Sequence, residues 1–221
     1  MARPPHVFLF SVHKDAMDAG VRAFATGWPQ ARVSNVLDDS LFAWIREGGT
    51  VVPAMYDVFR DYTRHMVKRG ADGILFTCSA FRQVIDACIA EFDVPILKPN
   101  DAMIEKALAA GSRIAVVATV APTIPSISAE IEEMAAARGT SVELAPYVVD
   151  HAFDALAGGD AVTHDRLVAQ RAREIDGCDA IVLAQFTLAR AVAAVRSVSD
   201  KPVYDSPGAA VAKIRDMVEQ G

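Results

Sequence analysis

Short apolar runs alternate with amphipathic stretches along the whole chain. Such runs are typical of buried strands, whereas apolar residues spaced three and four positions apart are typical of helices. The first part of the chain accordingly predicts strands at 7–10, 32–37, 73–76 and 94–97. It predicts helices at 15–24, 50–68, 79–91 and 101–109. Strands that alternate with helices predict parallel β–α–β units in which the helices cover the sheet.

The same order of elements begins again in the second part of the chain. Strands are predicted at 113–118, 142–144, 179–183 and 202–204. Helices are predicted at 126–138, at 188–195 and at 208–218, and a helical stretch that is broken at Gly158-Gly159 runs on to 174. A displacement of 107 positions moves Gly70 onto Gly177 and Asp72 onto Asp179. A constant displacement over several elements predicts an internal structural repeat.

The repeat predicts an α/β fold of two similar halves with parallel sheets, related by an approximate two-fold axis. The first half is predicted to contain residues 1–98 and 206–221, and the second half residues 99–205. Ligands of parallel α/β sheets bind beyond the carboxyl ends of the strands. Two such halves that face each other would place both sets of strand ends around one cleft, which is where we expect a small-molecule site.

Overall charge and motif content exclude several classes of function. The net charge is −6, the pI is about 5.3 and lysines and arginines form no run, which disfavours nucleic-acid binding. No apolar run approaches the roughly 20 residues that cross a bilayer, and the apolar start is too short for a signal sequence, so we expect a cytoplasmic protein. With neither an HExxH motif nor a glycine-rich phosphate loop, we expect no metal and no cofactor.

Cys78 is the residue whose position favours chemistry most. It lies directly after the strand at 73–76 and before a helix, where backbone N–H groups and the helix dipole favour a thiolate. The alternative is a small apolar residue that ends a buried strand. Cys88 continues the apolar face of its helix and is predicted to be structural, and Cys178, in a turn before a strand, is predicted to have a structural or surface role. His13 follows the first strand and either orients a ligand, acts as a second base or is a surface histidine.

Four stretches carry a resemblance to a known family: 37–41 (LDDSL), 72–79 (DGILFTCS), 114–119 (IAVVAT) with Thr123, and 179–183 (DAIVL). On these stretches the chain resembles the aspartate/glutamate racemase superfamily, which includes glutamate, aspartate and hydantoin racemases, maleate isomerase and arylmalonate decarboxylase. The resemblance implies two flavodoxin-like halves and a homo-oligomer. It also implies proton transfer at the carbon α to a carboxylate by two cysteines, one in each half, without PLP or metal.

The chain departs from the family pattern at the second cysteine. Cys78 occupies the first position, but the second reads Gln185-Phe186-Thr187. An amide neither takes nor gives a proton at neutral pH, although it can hydrogen-bond a carboxylate or an oxyanion. One thiol still suffices for nucleophilic addition or for protonation after decarboxylation, and His13 is the alternative base. An inactive member that binds a small carboxylate, as a binding or regulatory protein, is the second hypothesis.

The resemblance also implies which residues bind the substrate, a small carboxylate or an amino-acid-like molecule. The implied set consists of strand-end residues that offer hydroxyl, amide or backbone N–H groups: Ser11, Thr77, Ser79, Ala80, Thr119, Thr123, Gln185, Phe186 and Thr187. Asp38 and Ser40 are expected nearer the rim of the site. Each serine or threonine could instead be a helix cap. No nucleic-acid or membrane partner is expected.

Overall fold

Each half of the chain is built around one four-stranded parallel sheet. The computed structural model describes residues 3–48 and 51–220. The first sheet has the order β2-β1-β3-β4, with β1 His6–Ser11, β2 Arg32–Leu37, β3 Gly73–Phe76 and β4 Ile96–Leu97. The helices between these strands are α1 Lys14–Gly27, α2 Ser40–Gly48, α3 Ala54–Lys68 and α4 Arg82–Glu91. A 3₁₀ turn, Ser79–Phe81, precedes α4 and is called the first 3₁₀ turn.

The second sheet repeats this arrangement. After α5 Asp101–Ala110 it has the order β6-β5-β7-β8, with β5 Arg113–Ala118, β6 Glu143–Val148, β7 Ala180–Leu183 and β8 Val203–Asp205. Its helices are α6 Thr123–Ala137, α7 Ala152–Ala157, α8 Ala161–Arg173 and α9 Val192–Arg196, and α10 Ser206–Gln220 follows β8. The second 3₁₀ turn, Phe186–Ala191, precedes α9.

The chain divides into two compact units, called here the first and second half. The first half contains the residues up to Asp101 and those from Ala210 onward, and the second half contains Ala102–Ala209. Most of α10 therefore belongs to the first half, although it follows the last strand of the second. Most of α5 belongs to the second half in the same way.

Strand pairing confirms that the two halves are similar. Val7 pairs with Gly73 in the first half, and Ile114 pairs with Ala180 in the second, so both partners are displaced by 107 positions. Ile74 with Ile96 and Ile181 with Val203 keep the same displacement. The α/β class predicted from the sequence is thus confirmed, while the cleft stays a prediction.

An aromatic cluster fixes the carboxyl edge of the first sheet. Phe10 and Phe76 pair across β1 and β3 just before those strands end, and their ring centroids lie 5.2 Å apart. Phe59 of α3 packs on both rings, and its centroid lies 4.9 Å from that of Phe81 in the first 3₁₀ turn. All four rings are buried. Close packing of this kind resists displacement, so the backbone that leads to Cys78 is held firmly.

The opposite edge of each sheet carries the same aspartate bridge. Asp72 accepts a hydrogen bond from the backbone N–H of His6 at 2.7 Å, and Asp179 accepts one from Arg113 at 2.9 Å. Asp72 also pairs with Arg3, as Asp179 does with the Arg113 guanidinium. These aspartates explain why the motif at 72 recurs at 179: each fastens the start of one strand to the turn before the next.

Asp179→Ala should lower stability, and the loss should depend on pH. Hydrogen bonds from Arg113 and Ser112 hold the pKa of Asp179 below its ordinary value. A carboxyl with a depressed pKa in the folded state stabilises the fold above its unfolded-state pKa and loses that contribution as the pH falls through the folded-state value. The urea midpoint of the variant should therefore lie below that of the wild type at about pH 7, and the difference should shrink below about pH 4.

The matched control for this measurement is Asp200→Ala. The Asp200 side chain is 90% exposed, so its removal should leave the midpoint unchanged at both pH values. An equal loss in the two variants would contradict the structural role of the Asp179 bridge.

One observed helix was not predicted, and several predicted elements have other bounds, most clearly the helix after Thr50 and the strand before 148. The helix α2 was not predicted, because it has only 9 residues, which is too short for a clear helical period. The helix expected from Thr50 begins at Ala54, and Thr50 lies outside the described residues. The strand expected to end at 144 continues to Val148 through Pro146, which β6 tolerates because it is an edge strand.

Candidate active site

A buried hydroxyl pair lies at the carboxyl edge of the first sheet. Ser11 is the last residue of β1, and the Thr77 hydroxyl donates to its oxygen at 3.0 Å. The Thr77 backbone N–H donates to the Phe10 carbonyl at 3.1 Å, which continues the pairing of β3 with β1 by one residue. Both hydroxyls are buried. This pair therefore sets the direction in which the chain leaves the sheet toward Cys78.

Cys78 lies between β3 and the first 3₁₀ turn. Its backbone is extended, and its carbonyl accepts the N–H of Phe81 at 3.5 Å. Cys78 is half-buried and packs against the hydrophobic core of the first half. The first N–H groups of a helix have no partner within that helix, which makes such an end suitable for an anion. Partial exposure at a helix start is the setting in which cysteines react.

The other two cysteines have a different environment. Cys88 lies on the buried face of α4, and burial raises the pKa of its thiol. Cys178 precedes β7 at the opposite edge of the second sheet, and burial raises the pKa of its thiol as well. A raised thiol pKa reduces the thiolate fraction at neutral pH, so both are poor nucleophiles.

Iodoacetamide should therefore label Cys78 first. At about pH 7.5 we expect its rate to exceed those of Cys88 and Cys178 by about 10-fold or more, because it combines exposure with a helix start. Peptide mass spectrometry of a labelling time course measures all three rates in one sample. Labelling of Cys178 as fast as that of Cys78 would contradict the expected difference.

A second polar cluster lies where β2 ends. The Asp38 carboxylate accepts hydrogen bonds from the backbone N–H and the hydroxyl of Ser40, and from the Tyr62 hydroxyl at 2.7 Å. Its backbone N–H donates to the Ser11 carbonyl at 3.0 Å. Burial opposes ionisation, but hydrogen bonds from Ser40 and Tyr62 outweigh it and hold the pKa of Asp38 below its ordinary value.

Tyr62 is the member of this cluster that the sequence did not single out. It lies on α3, and its ring packs edge-on against Phe10, with 4.9 Å between the centroids. The hydrogen bond to Asp38 raises the pKa of its hydroxyl, so it remains a donor. Nothing in the spacing of α3 links residue 62 to residue 38, since the two meet only in the folded chain.

His13 caps the helix α1. Its Nδ1 accepts the backbone N–H of Asp15 at 3.3 Å, and its side chain is 56% exposed. The Nδ1 lone pair is therefore engaged by the backbone at the start of α1 in this structure. The geometry favours the capping role, and the base role stays a prediction.

In the second half the Gln185 side chain is held by Thr119. Gln185 follows β7, and its amide oxygen accepts the Thr119 backbone N–H at 2.6 Å and the Thr119 hydroxyl at 2.9 Å. Gln185 has an extended backbone and begins the second 3₁₀ turn, as Cys78 begins the first. The two residues are thus equivalent in fold as well as in sequence. Thr119 is buried and Gln185 is half-buried.

The remaining predicted binding residues occupy the starts of helices. Ser79 is half-buried and Ala80 is exposed in the first 3₁₀ turn, and Phe186 is buried at the start of the second. Thr123 begins α6, and Thr187 is half-buried beside Phe186. These residues lie near the carboxyl ends of their own sheets, and their contact with a substrate stays a prediction.

An ion pair connects the second 3₁₀ turn to α8. Arg190 in the turn donates two hydrogen bonds to Asp165, at 2.8 and 3.2 Å. Asp165 also contacts His164 Nδ1 at 2.7 Å, and the His164 ring is buried. The sequence singled out none of the three. Their pairing holds the segment that contains Gln185 against the body of the second half.

The described part of the chain contains neither a candidate metal site nor a candidate membrane span. Within 3–48 and 51–220, no cluster of three or more histidine, cysteine or acidic side chains could hold a metal ion. No helix in the same ranges is long and apolar enough to cross a bilayer.

Residues 39–215 match the model of the Asp/Glu/hydantoin racemase family. The match includes Cys78, Thr119 and Gln185 and covers well over half of the chain, so this protein belongs to that family. A search of curated protein sequences returns no significant match.

Solved structures of several racemases share the fold. An allantoin racemase from Klebsiella pneumoniae has a TM-score of 0.69 at 18% identity, over 98% of this chain and 89% of that one. An aspartate racemase homologue from Pyrococcus horikoshii has a TM-score of 0.72 at 15% identity, over 97% and 99% of the two chains. A glutamate racemase from Francisella tularensis, in complex with D-glutamate, has a TM-score of 0.65 at 12% identity, over 99% and 82%.

Proposed function

We propose that this protein is an enzyme that moves a proton at the carbon α to a small carboxylate, without a cofactor, and that Cys78 is its single catalytic thiol. The observation that carries the proposal is the position of Cys78, half-buried between β3 and a helical turn in a chain of the racemase family. Racemisation, isomerisation and decarboxylation all fit a carbanion or enediolate at that carbon.

An α C–H bond has a much higher pKa than a thiol, so the proposed proton transfer needs a site that stabilises the carbanion. A thiolate removes an α proton efficiently only where the developing negative charge on the carboxylate oxygens is stabilised. Neutral donors suit that role: the Ser79 and Ala80 backbone N–H groups beside Cys78, which the buried Ser11–Thr77 hydroxyl pair helps to position. Because these donors are fixed by the sheet edge, they need little rearrangement during the reaction.

A binding protein without catalysis is the second candidate, and Gln185 is the observation that favours it. Glutamine occupies the position of the second cysteine, and its amide oxygen is already engaged by Thr119. A member that had lost proton transfer would still bind a carboxylate through the same donors.

Incubation in D₂O distinguishes the two candidates. We would treat the protein with single enantiomers of small α-substituted carboxylates such as aspartate and glutamate, and follow the α position by ¹H NMR. Enzymatic deuteration of one member of the panel supports the enzyme. Thermal stabilisation by a ligand whose α position never exchanges would overturn it in favour of the binding protein.

A further inference from the structure

Two apolar side chains are exposed where β2 ends and α2 begins. Leu37, the last residue of β2, is 42% exposed, and Phe42, in the first turn of α2, is 41% exposed. Single exposed apolar residues are common on protein surfaces and need no explanation by themselves. These two lie on either side of the Asp38 cluster, at the carboxyl edge of the sheet that carries Cys78, which is the edge where ligands of parallel sheets bind.

The end of β2 is connected to Cys78 through β1. Leu37 pairs with Ser11, and the Asp38 backbone N–H donates to the Ser11 carbonyl at 3.0 Å. Ser11 in turn accepts the Thr77 hydroxyl at 3.0 Å, and Cys78 follows Thr77. Neighbouring strands lie about 4.8 Å apart, so the ends of β2 and β3 are about 10 Å apart on one edge. A ring-sized substituent on a carbon held next to the Cys78 thiol covers much of that distance.

The ring of His13 supports the ring of Phe42. Their centroids lie 6.1 Å apart and their planes meet at 72°, an edge-on arrangement that aromatic rings favour. His13 is itself fixed, because its Nδ1 accepts the Asp15 backbone N–H at the start of α1. An exposed aromatic side chain that is already held in one orientation offers apolar contact at a small entropic cost on binding.

The charges on this side of the edge are mostly negative. Within segments 11–18 and 37–44 the sequence contains four aspartates and one lysine, and this lysine, Lys14, pairs with Asp18. Burial opposes the ionisation of Asp38, but hydrogen bonds from Ser40 and Tyr62 keep its pKa below the ordinary value. An anionic substituent would therefore meet like charge in these two described segments and find no unpaired lysine or arginine there. An uncharged apolar substituent meets neither obstacle.

We propose that Phe42 and Leu37 bind the substituent at the α carbon of the substrate, and that this substituent is apolar and uncharged. This inference rests on the proposed function and names its substrate class: a monocarboxylate with an aromatic or branched apolar α substituent, and not a dicarboxylate. In small-molecule sites apolar and aromatic side chains provide most of the contact, while a few polar groups fix the orientation. The backbone N–H groups after Cys78 are the polar part here and Phe42 is the apolar part, both within the first half.

Calorimetric binding to the full chain tests this preference without requiring catalysis. The probes are 3-phenylpropanoate, succinate and propanoate, which carry a benzyl, a carboxymethyl and a methyl group at the α carbon. We expect 3-phenylpropanoate to bind at least about 10-fold more tightly than either of the other two, because burial of a phenyl ring is favourable. Succinate that binds as tightly as 3-phenylpropanoate, or no measurable binding of 3-phenylpropanoate, overturns the proposal.

Phe42→Ala locates the contact, and Phe153→Ala is its matched control. Phe153 is 51% exposed on α7 of the second half, so both variants remove an exposed phenyl ring. We expect Phe42→Ala to weaken the binding of 3-phenylpropanoate at least about 5-fold and to leave that of propanoate unchanged, while Phe153→Ala changes neither. Phe42→Leu keeps an apolar side chain and should retain most of the affinity. Equal affinities of Phe42→Ala and Phe153→Ala for 3-phenylpropanoate overturn the role of Phe42.

Failure of the proposed function would look different. Tight binding of 3-phenylpropanoate without any α deuteration in D₂O would overturn the enzyme and leave the apolar contact in a binding protein. Deuteration of succinate at a rate that Phe42→Ala does not change would support the enzyme and overturn the apolar contact.

Discussion

Replacing Cys78 with alanine is expected to lower the rate of α-hydrogen exchange by a factor of about 10²–10⁴, the range over which a positioned general acid or base contributes. The reason is that no other thiol lies at a comparable position: Cys88 is buried in the apolar face of α4, and Cys178 lies at the opposite edge of its sheet. Binding of a carboxylate should persist, because the donors around residue 78 belong to the backbone and to hydroxyl side chains. The measurement compares exchange rates by ¹H NMR in D₂O with affinities by calorimetry.

Cys178→Ala is the control for the general loss of a thiol. It removes the thiol of a residue that is 6% exposed, and it is expected to leave the exchange rate unchanged after correction for the folded fraction. Undiminished exchange in Cys78→Ala would show that another group moves the proton, and His13 would be the first residue to test.

Gln185→Cys is expected to change the stereochemical outcome from retention to racemisation. Gln185 follows β7 as Cys78 follows β3, and each directly precedes a 3₁₀ turn, so residue 185 is the counterpart of Cys78 in the second half. A thiol at 185 would supply the second proton donor that an amide cannot supply. The opposite enantiomer should form at least about 10-fold faster than with the wild type, a lower bound beneath the roughly 10²–10⁴-fold of a fully positioned acid or base.

Gln185→Ser provides the matched comparison for that gain. Serine is nearly the size of cysteine, but its hydroxyl does not ionise at neutral pH, so it removes the amide without adding a base. Equal inversion by the serine and cysteine variants would contradict the assignment of residue 185 to the second proton-transfer position.

Most of the fold could be predicted because each βα unit is local in sequence. The recurrence of Gly70 and Asp72 at Gly177 and Asp179 marked both halves, and the structure gives it a physical basis. Both glycines have positive φ angles, 80° and 66°, in the turn before a strand, where a side chain would be strained. Both aspartates then bridge to the neighbouring strand. Such a turn restricts which residues can occupy it, which explains why the same glycine and aspartate occur in both halves.

The site was predictable only where it follows directly from strand ends. Ser11, Thr77 and Cys78 come immediately at or after a strand, so their place at a sheet edge can be read from the sequence. Tyr62 and Arg190 could not be found in this way. Tyr62 lies 24 residues from Asp38 in the sequence, and Arg190 lies 25 residues from Asp165. Such pairs depend on how helices pack, which the periodicity of the sequence does not specify.

The most direct test of a single catalytic thiol is a comparison of two rates in one sample of the wild-type protein. A single enantiomer of the substrate is incubated in D₂O, deuterium at the α carbon is followed by NMR, and the opposite enantiomer is followed by chiral chromatography. The one-thiol mechanism predicts that deuterium enters at least about 10-fold faster than the configuration inverts. Inversion as fast as deuteration would contradict it, because a second group would then be protonating the other face.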